Sequence, residues 1–316
     1  GFIIQGDTTT DQTGVSVSSA GDVNGDGFDD MIAGAFYGDD GGSNAGEAYV
    51  VFGSASGFGT AVISGGFTRQ VIDLTSLATT QGFIIQGDVT NDQAGWSVSG
   101  AGDINGDGFD DLIVGARYGG DGGAQAGEAY VVFGTASGFG AVDGTGRRVI
   151  DLTSLTAAQG FIIQGDEAGD LAGQSVSSAG DVNSDGFDDL IVGAWGGDDG
   201  GGGAGEAYVV FGSSSGFGTA VSGRQVIDLT TLTAAQGFII QGDVAGDQAG
   251  YSVASAGDIN GDGFDDLIVG ARYGDDGGNA AGEAYVIFGS ASGFGASVTV
   301  GGFARQVIDL TSLTAA

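Results

Sequence analysis

The chain contains no cysteine, no histidine, no lysine and no proline in its 316 residues. Without Cys, neither a disulfide framework nor a thiolate-held zinc or iron site can form, and no redox compartment can be read. Without His, Lys or Cys, the bases that ordinarily activate a Ser hydroxyl are missing, so the Ser-rich stretches read as no nucleophile and the chain as no enzyme. The seven cationic side chains are all Arg and stand against 41 acidic ones, a formal charge of −34. Such a surface repels nucleic-acid phosphate and anionic lipid, both of which are bound through Lys and Arg, and it attracts cations. No apolar run is long enough to span a bilayer, so no membrane insertion is expected. The chain opens on Gly1 with no leader, which reads as a mature, soluble segment of something longer.

What the chain does have is glycine, 69 residues of it, and repetition. Gly at every third position with abundant Pro would indicate collagen, and a structureless linker would lack the recurring Val, Ile, Leu and Phe runs. The heptapeptide Gly-Phe-Ile-Ile-Gln-Gly-Asp begins at Gly1, Gly82, Gly160 and Gly237, at intervals of 81, 78 and 77 residues. The spacing divides residues 1–316 into repeats 1–81, 82–159, 160–236 and 237–316 of one repeat domain.

Within a repeat, short runs rich in β-branched and aromatic residues alternate with Gly/Asp/Ser clusters, and no helical period persists for three turns. The second repeat predicts strands at 83–86, 96–101, 111–116 and 129–133. The segment from Arg148 to Leu152 and the stretch 153–158 read as a short strand and one helical turn. Four strands per unit suit the blade of a β-propeller, and nearly continuous apolar runs suit strands covered on both faces by neighbouring blades.

The sharpest motif joins the second and third strands of each repeat. It reads Asp22-Val23-Asn24-Gly25-Asp26-Gly27-Phe28-Asp29-Asp30 and recurs at 103–111, 181–189 and 258–266. Ca²⁺ takes six to eight oxygen ligands, and alternate positions of a tight loop aim side chains inward. Positions one, three, five and nine supply Asp, Asn, Asp and Asp. Position seven, always Phe, offers its carbonyl, and Gly at position six permits the sharp turn. An EF-hand starts alike but needs a Glu at position twelve, where this chain has apolar strand residues. An acidic turn in solvent would use the same residue types, but not the same spacing four times over.

These elements, with the Gly-x-Ser-Val runs at Gly14, Gly95, Gly173 and Gly250 and the following Gly-Glu-Ala-Tyr-Val, resemble the FG-GAP repeats of integrin α-subunit propellers and of large bacterial surface proteins. The resemblance implies an all-β propeller of four FG-GAP blades, four strands each, with one Ca²⁺ per repeat on one face. By position, the ligands it implies are Asp22, Asn24, Asp26, the Phe28 carbonyl and Asp30, then Asp103, Asn105, Asp107, Phe109 and Asp111. The third set is Asp181, Asn183, Asp185, Phe187 and Asp189, and the fourth Asp258, Asn260, Asp262, Phe264 and Asp266. The Pro that ends the family's Gly-Ala-Pro signature is replaced by Phe36, Arg117, Trp195 and Arg272, and four repeats fall short of the seven blades of an integrin-like ring.

Each Phe-Ile-Ile-Gln run precedes its own calcium loop and so reads as the outer strand of the preceding blade. Residues 2–5 are then spare and the last blade lacks an outer strand. Closure by that N-terminal strand, within the chain or from a neighbouring chain, is the expectation. Asp7, Asp39, Asp40 and Glu47 and their counterparts offer a second cation site, against plain turn capping. Val15, Trp96, Gln174 and Tyr251, with Tyr37, Tyr118, Trp195 and Tyr273, offer an aromatic platform, against ordinary packing. The functional expectation is a calcium-stabilised extracellular structural or adhesive protein, secreted or at the cell surface. It would self-associate or continue a longer array. The alternative is a monomeric integrin-like propeller that binds a cell-surface protein or glycan opposite the calcium loops.

Overall fold

The computed structural model describes residues 1–300 and 302–313; Thr314, Ala315 and Ala316, with which the fourth repeat ends in the sequence, lie outside the described residues. The described elements are β-strands and four short 3-10 turns, in the order of an all-β propeller with four blades. Each blade starts as an antiparallel meander. In blade one the strands Val17–Gly21, Asp30–Ala35 and Glu47–Val51 are followed by Gly82–Gln86 from the next repeat. Blade two uses Ser97–Gly102, Asp111–Ala116, Glu128–Val132 and Gly160–Gln164; blade three uses Ser175–Gly180, Asp189–Ala194, Glu206–Val210 and Gly237–Gln241. Blade four contributes Ser252–Gly257, Asp266–Ala271 and Glu283–Ile287. The Phe-Ile-Ile-Gln run is thus the outer strand of the preceding blade, as the repeat order requires.

The second and third strands of blades one to three are buried almost throughout: neighbouring blades cover both faces of blades two and three, and blade one is covered by blade two on one face and by the first hairpin with Ile3–Gln5 on the other. Gly makes the close approach possible. A Cβ on Gly34 would lie 2.0 Å from the Gly95 carbonyl oxygen of the next blade, and one on Gly115 would lie 2.1 Å from that of Gly173. The core between blades is aliphatic, capped by three-ring clusters such as Phe52, Phe83 and Phe139, in which Phe83 and Phe139 stack at 4.2 Å.

The sheets are wider than four strands. After its third strand each repeat forms a hairpin, and in repeats two to four the hairpin docks on the preceding blade. Arg148–Asp151 pairs in parallel with Gly82–Gln86 of blade one, and Ala141–Val142 pairs outside it. The same holds for Arg224–Asp228 on blade two and Phe303–Asp309 on blade three, giving three six-stranded sheets. The ambiguous stretch after Arg148 resolves into this strand and a 3-10 turn, Leu152–Ser154. Asp151 caps the turn by accepting from Thr153 N at 2.9 Å, and buried Leu152 anchors it.

The first hairpin and the last blade lack such a partner among the described residues. Ile3–Gln5 pairs in parallel with Phe67–Asp73 of the first hairpin, in a separate three-stranded sheet with Thr60–Ser64. Among the described residues no strand pairs with the outer edge of Glu283–Ile287. Of the two closures open from the sequence, the one within the chain is therefore not formed.

Candidate metal centres

At one end of the blades, each Asp-x-Asn-x-Asp-Gly loop is wound by its own side chains. Asp22 accepts from Asp26 N at 3.0 Å and from Gly27 N at 2.8 Å; Asn24 Oδ1 accepts from Asp26 N at 2.9 Å and Asp26 from Phe28 N at 3.0 Å. The pattern recurs at Asp103, Asn105 and Asp107, at Asp181, Asn183 and Asp185, and at Asp258, Asn260 and Asp262. Positions one, three and five therefore fold back over a single turn. Their donors, with the position-seven carbonyls of Phe28, Phe109, Phe187 and Phe264, are all oxygens, the chemistry a hard cation such as Ca²⁺ selects. In the third loop Ser184, at φ +58°, takes the left-handed conformation that Gly25, Gly106 and Gly261 adopt elsewhere at +72° to +78°.

Position nine has a different setting. Asp30 is buried; one oxygen accepts from Val23 N at 3.1 Å and the other from Gly53 N at 2.7 Å. Asp111, Asp189 and Asp266 repeat this, tying the loop to the end of the third strand. Burial pushes Asp30 up to about 6 and Asp111 and Asp189 to about 8, against the downward pull of those N–H donors. Position eight carries a role that the sequence reading overlooked. Asp110 Oδ2 accepts from Asp22 N of the preceding blade's loop at 2.7 Å, and Asp188 and Asp265 hold Asp103 N and Asp181 N at 2.9 Å. Each of these loops but the fourth is thus stapled by the next blade.

The tightest carboxylate groups lie at the opposite end. Asp7, Asp40 and Glu47 have oxygens within 4.8 Å of one another, as do Asp88, Asp92 and Glu128; Asp166, Asp170 and Glu206; and Asp243, Asp276 and Glu283. Each repeat thus brings together one acidic group able to hold a cation. Burial, helped by neighbouring carboxylates and opposed by the hydrogen bonds these groups accept, raises Glu47, Glu128 and Glu206 to about 7, and burial with a hydrogen bond and charge repulsion from Asp166 raises Asp170 to about 8. Tyr49, Tyr130 and Tyr208, their hydroxyls held protonated by burial and these carboxylates, donate to Glu47, Glu128 and Glu206.

In three of the four groups a guanidinium enters from the docked hairpin of the following repeat. Arg147 reaches Asp7 at 2.8 Å and Asp40 at 2.6 Å; Arg224 reaches Asp88 at 2.8 Å and Asp121 at 2.6 Å; Arg305 reaches Asp166 at 3.1 Å and Asp199 at 3.6 Å. Beside them, residues at the family's Pro position stack on aromatic rings, Arg117 and Arg272 within their own blades and Phe36 across to the next blade. Arg117 lies 3.1 Å over Trp96, Phe36 packs edge-on to Trp96, and Arg272 lies 4.1 Å over Tyr251. Of the variable positions, Trp96, Trp195 and Tyr251 are half-buried in such stacks, whereas Val15 and Tyr273 are exposed.

The FG-GAP repeat model matches residues 13–51, 94–132, 172–210 and 249–287, each running from just before a blade's inner strand to the end of its third strand. The chain is 31% identical over 211 residues to integrin alpha pat-2 of Caenorhabditis elegans and 30% identical over 211 residues to that of Caenorhabditis briggsae. The match takes in 64% of this chain and 14% of either integrin. One FG-GAP match per blade, with the loop and strand order of the repeat intact in all four, places the chain in the FG-GAP repeat family.

Proposed function

We propose that the protein is a calcium-stabilised extracellular structural or adhesive module, non-enzymatic, arrayed at a surface or in a filament. The observation that carries this reading is the loop geometry: four oxygen-only turns at one end, each wound the same way and three stapled to the next blade. Asp22, Asn24, Asp26, the Phe28 carbonyl and Asp30, with their counterparts in the other three repeats, would hold the ion. A divalent cation would supply positive charge to a loop that carries three Asp ligands within nine residues, and would neutralise their mutual repulsion. Four such ions reduce the formal charge from −34 to −26. No helix among the described residues is long and apolar enough to cross a membrane.

At ten times the dissociation constant each site adds about 1.4 kcal/mol to stability. Dissociation constants of about 0.1 to 1 mM, common for extracellular modules, would keep the sites filled only in a calcium-rich compartment. Similarity to integrin alpha chains favours adhesion, and near-identical blades favour an array over a unique pocket. The test is calorimetric titration with Ca²⁺, paired with molar mass by light scattering in millimolar calcium and in chelator. Four bound ions and calcium-dependent assembly are expected. No binding, with folding indifferent to chelator, would refute the reading.

A further inference from the structure

We propose that in each of the first three repeats the acidic group at the end opposite the Asp-x-Asn-x-Asp-Gly loop is a second divalent-cation site. In the first repeat it comprises Asp7, Asp11, Asp40 and Glu47. The proposal goes beyond the loop reading and does not depend on it, because the two sets of oxygens share no residue.

The group is drawn from separate parts of the repeat. Asp7 and Asp11 stand in the loop before the inner strand, Asp40 in the loop after the second strand, and Glu47 opens the third. The docked hairpin of the next repeat adds Arg147. Four carboxylates therefore share one guanidinium. The second repeat keeps the same balance, with Asp88, Asp92, Asp121 and Glu128 around Arg224.

Donors run out before acceptors do. Arg147 satisfies Asp7 Oδ2 and Asp40 Oδ2, and Glu47 takes the Asp40 N–H and the Tyr49 hydroxyl. Asp7 Oδ1 and Asp11 Oδ1 are left buried with no hydrogen-bond partner. Asp11 is 2% exposed and the Asp7 side chain 5%. What meets Asp11 is more negative charge, from Asp7, Asp39 and Asp40. In the second repeat the Tyr130 hydroxyl lies 2.7 Å from Asp88 Oδ1 and 2.6 Å from Glu128 Oε2, yet it has one hydrogen for the two. A carboxylate taken out of water is stable only when paired or coordinating a metal, and one guanidinium cannot pair four.

The spacing suits a single ion. Asp88, Asp92 and Glu128 offer oxygens within 4.8 Å of one another, as do Asp166, Asp170 and Glu206. Ligands held at roughly 2.3 to 2.6 Å from one Ca²⁺ stand at most about 5 Å apart. All the donors are oxygen, which selects a hard cation. Turn capping accounts for Glu47, which accepts the Asp40 N–H, but not for Asp11 Oδ1, which caps nothing. Because a guanidinium already supplies one positive charge to each group, these sites should hold Ca²⁺ more weakly than the loops and fill after them.

The test is a Ca²⁺ titration of the full chain by flow dialysis, carried past the four loop ions, with Asp92→Asn beside the wild type. Asp92 is surrounded by the charges of Glu128, Asp88 and Asp121, so the isosteric amide relieves repulsion and leaves the fold intact. The wild type should take up a second, weaker set of ions. Asp92→Asn should weaken one member of that set about tenfold or more and leave the first set unchanged. Terbium(III), an oxygen-seeking stand-in for Ca²⁺, gives a reading that needs no variant. Tyr49, Tyr130 and Tyr208 donate to these groups, whereas the loops carry Phe at position seven, so terbium bound here should emit when tyrosine is excited. A titration that ends at four ions, or terbium that tyrosine does not sensitise, would overturn the second site and leave the loop reading standing. A second set indifferent to Asp92→Asn would place those ions elsewhere and overturn it too. Ions bound at the tyrosine end alone would support this site and refute the loop reading.

Discussion

Arg305 and Asp166 lie 139 residues apart in the chain and 3.1 Å apart in space, each with a side chain only 4% exposed. The pair locks the hairpin of the fourth repeat onto blade three. Removing one member of a buried pair leaves the other charge uncompensated, at a cost of about 3–5 kcal/mol. Arg305→Ala should therefore lower the urea midpoint sharply in the isolated chain. Arg69→Ala, the same residue type at the same repeat position but without that partner, should leave the midpoint unchanged. A double-mutant cycle of Arg305→Ala with Asp166→Ala should show strong coupling, and additive losses would mean that the hairpin is held by its backbone pairing alone.

The Asp-x-Asn-x-Asp-Gly loops allow the proposed ligation to be tested apart from folding. Asp107 sits at position five on the exposed rim of its turn, whereas Asp111 at position nine is fully buried with backbone donors on both oxygens. Asp107→Ala should remove one of four calcium ions in a titration and leave stability in chelator within about 1 kcal/mol of the parent. Asp111→Ala should remove the ion as well and also destabilise the chelated protein by about 2 kcal/mol or more, since two buried N–H groups lose their acceptor. Equal effects of the two variants in chelator would show that position nine has no structural role beyond the ion.

The loops and the blade strands were legible in the sequence because each is local and recurs four times at fixed spacing. Phe83–Gln86 could even be assigned to the preceding blade from repeat order alone. The hairpins were not. Their strands pair in parallel with a run some 65 residues away, and parallel partners leave no turn signature between them. A signal did exist: Arg69, Arg147, Arg224 and Arg305 each stand two residues before Val-Ile-Asp, in a chain with only seven cations. Its meaning lay in the acidic residues of a different repeat. Position-eight Asp was invisible for the same reason, because its partner is the loop of the neighbouring blade.

Glycine spacing gives a test of blade contact with its own control. Gly115 faces the Gly173 carbonyl so closely that a Cβ would sit 2.1 Å away, and backbone cannot move aside cheaply. Gly115→Ala should cost about 1–3 kcal/mol. The same change at Gly270, whose nearest such neighbour is at 3.6 Å, should cost less than about 0.5 kcal/mol in the monomer. Measured by urea unfolding under calcium, equal losses would mean that the blades do not approach as closely as Gly34, Gly115 and Gly193 allow.

Acidity should stabilise the calcium-free protein. Burial raises Glu47, Glu128 and Glu206 from their ordinary value near 4.5 to about 7, so the folded chain binds protons more readily than the unfolded chain between those values. The stabilisation is complete below about pH 4.5 and is lost as pH rises through about 7. Asp170, raised to about 8, acts in the same direction. Facing these groups are Arg147, Arg224 and Arg305, which favour the ionised carboxylates and reduce the slope without reversing it, because each guanidinium is already shared between two Asp side chains. In chelator, the urea midpoint should therefore fall from pH 5 to pH 8, and Glu128→Gln should flatten the fall. A midpoint that rises over that range would mean that pairing with arginine outweighs burial at all three groups.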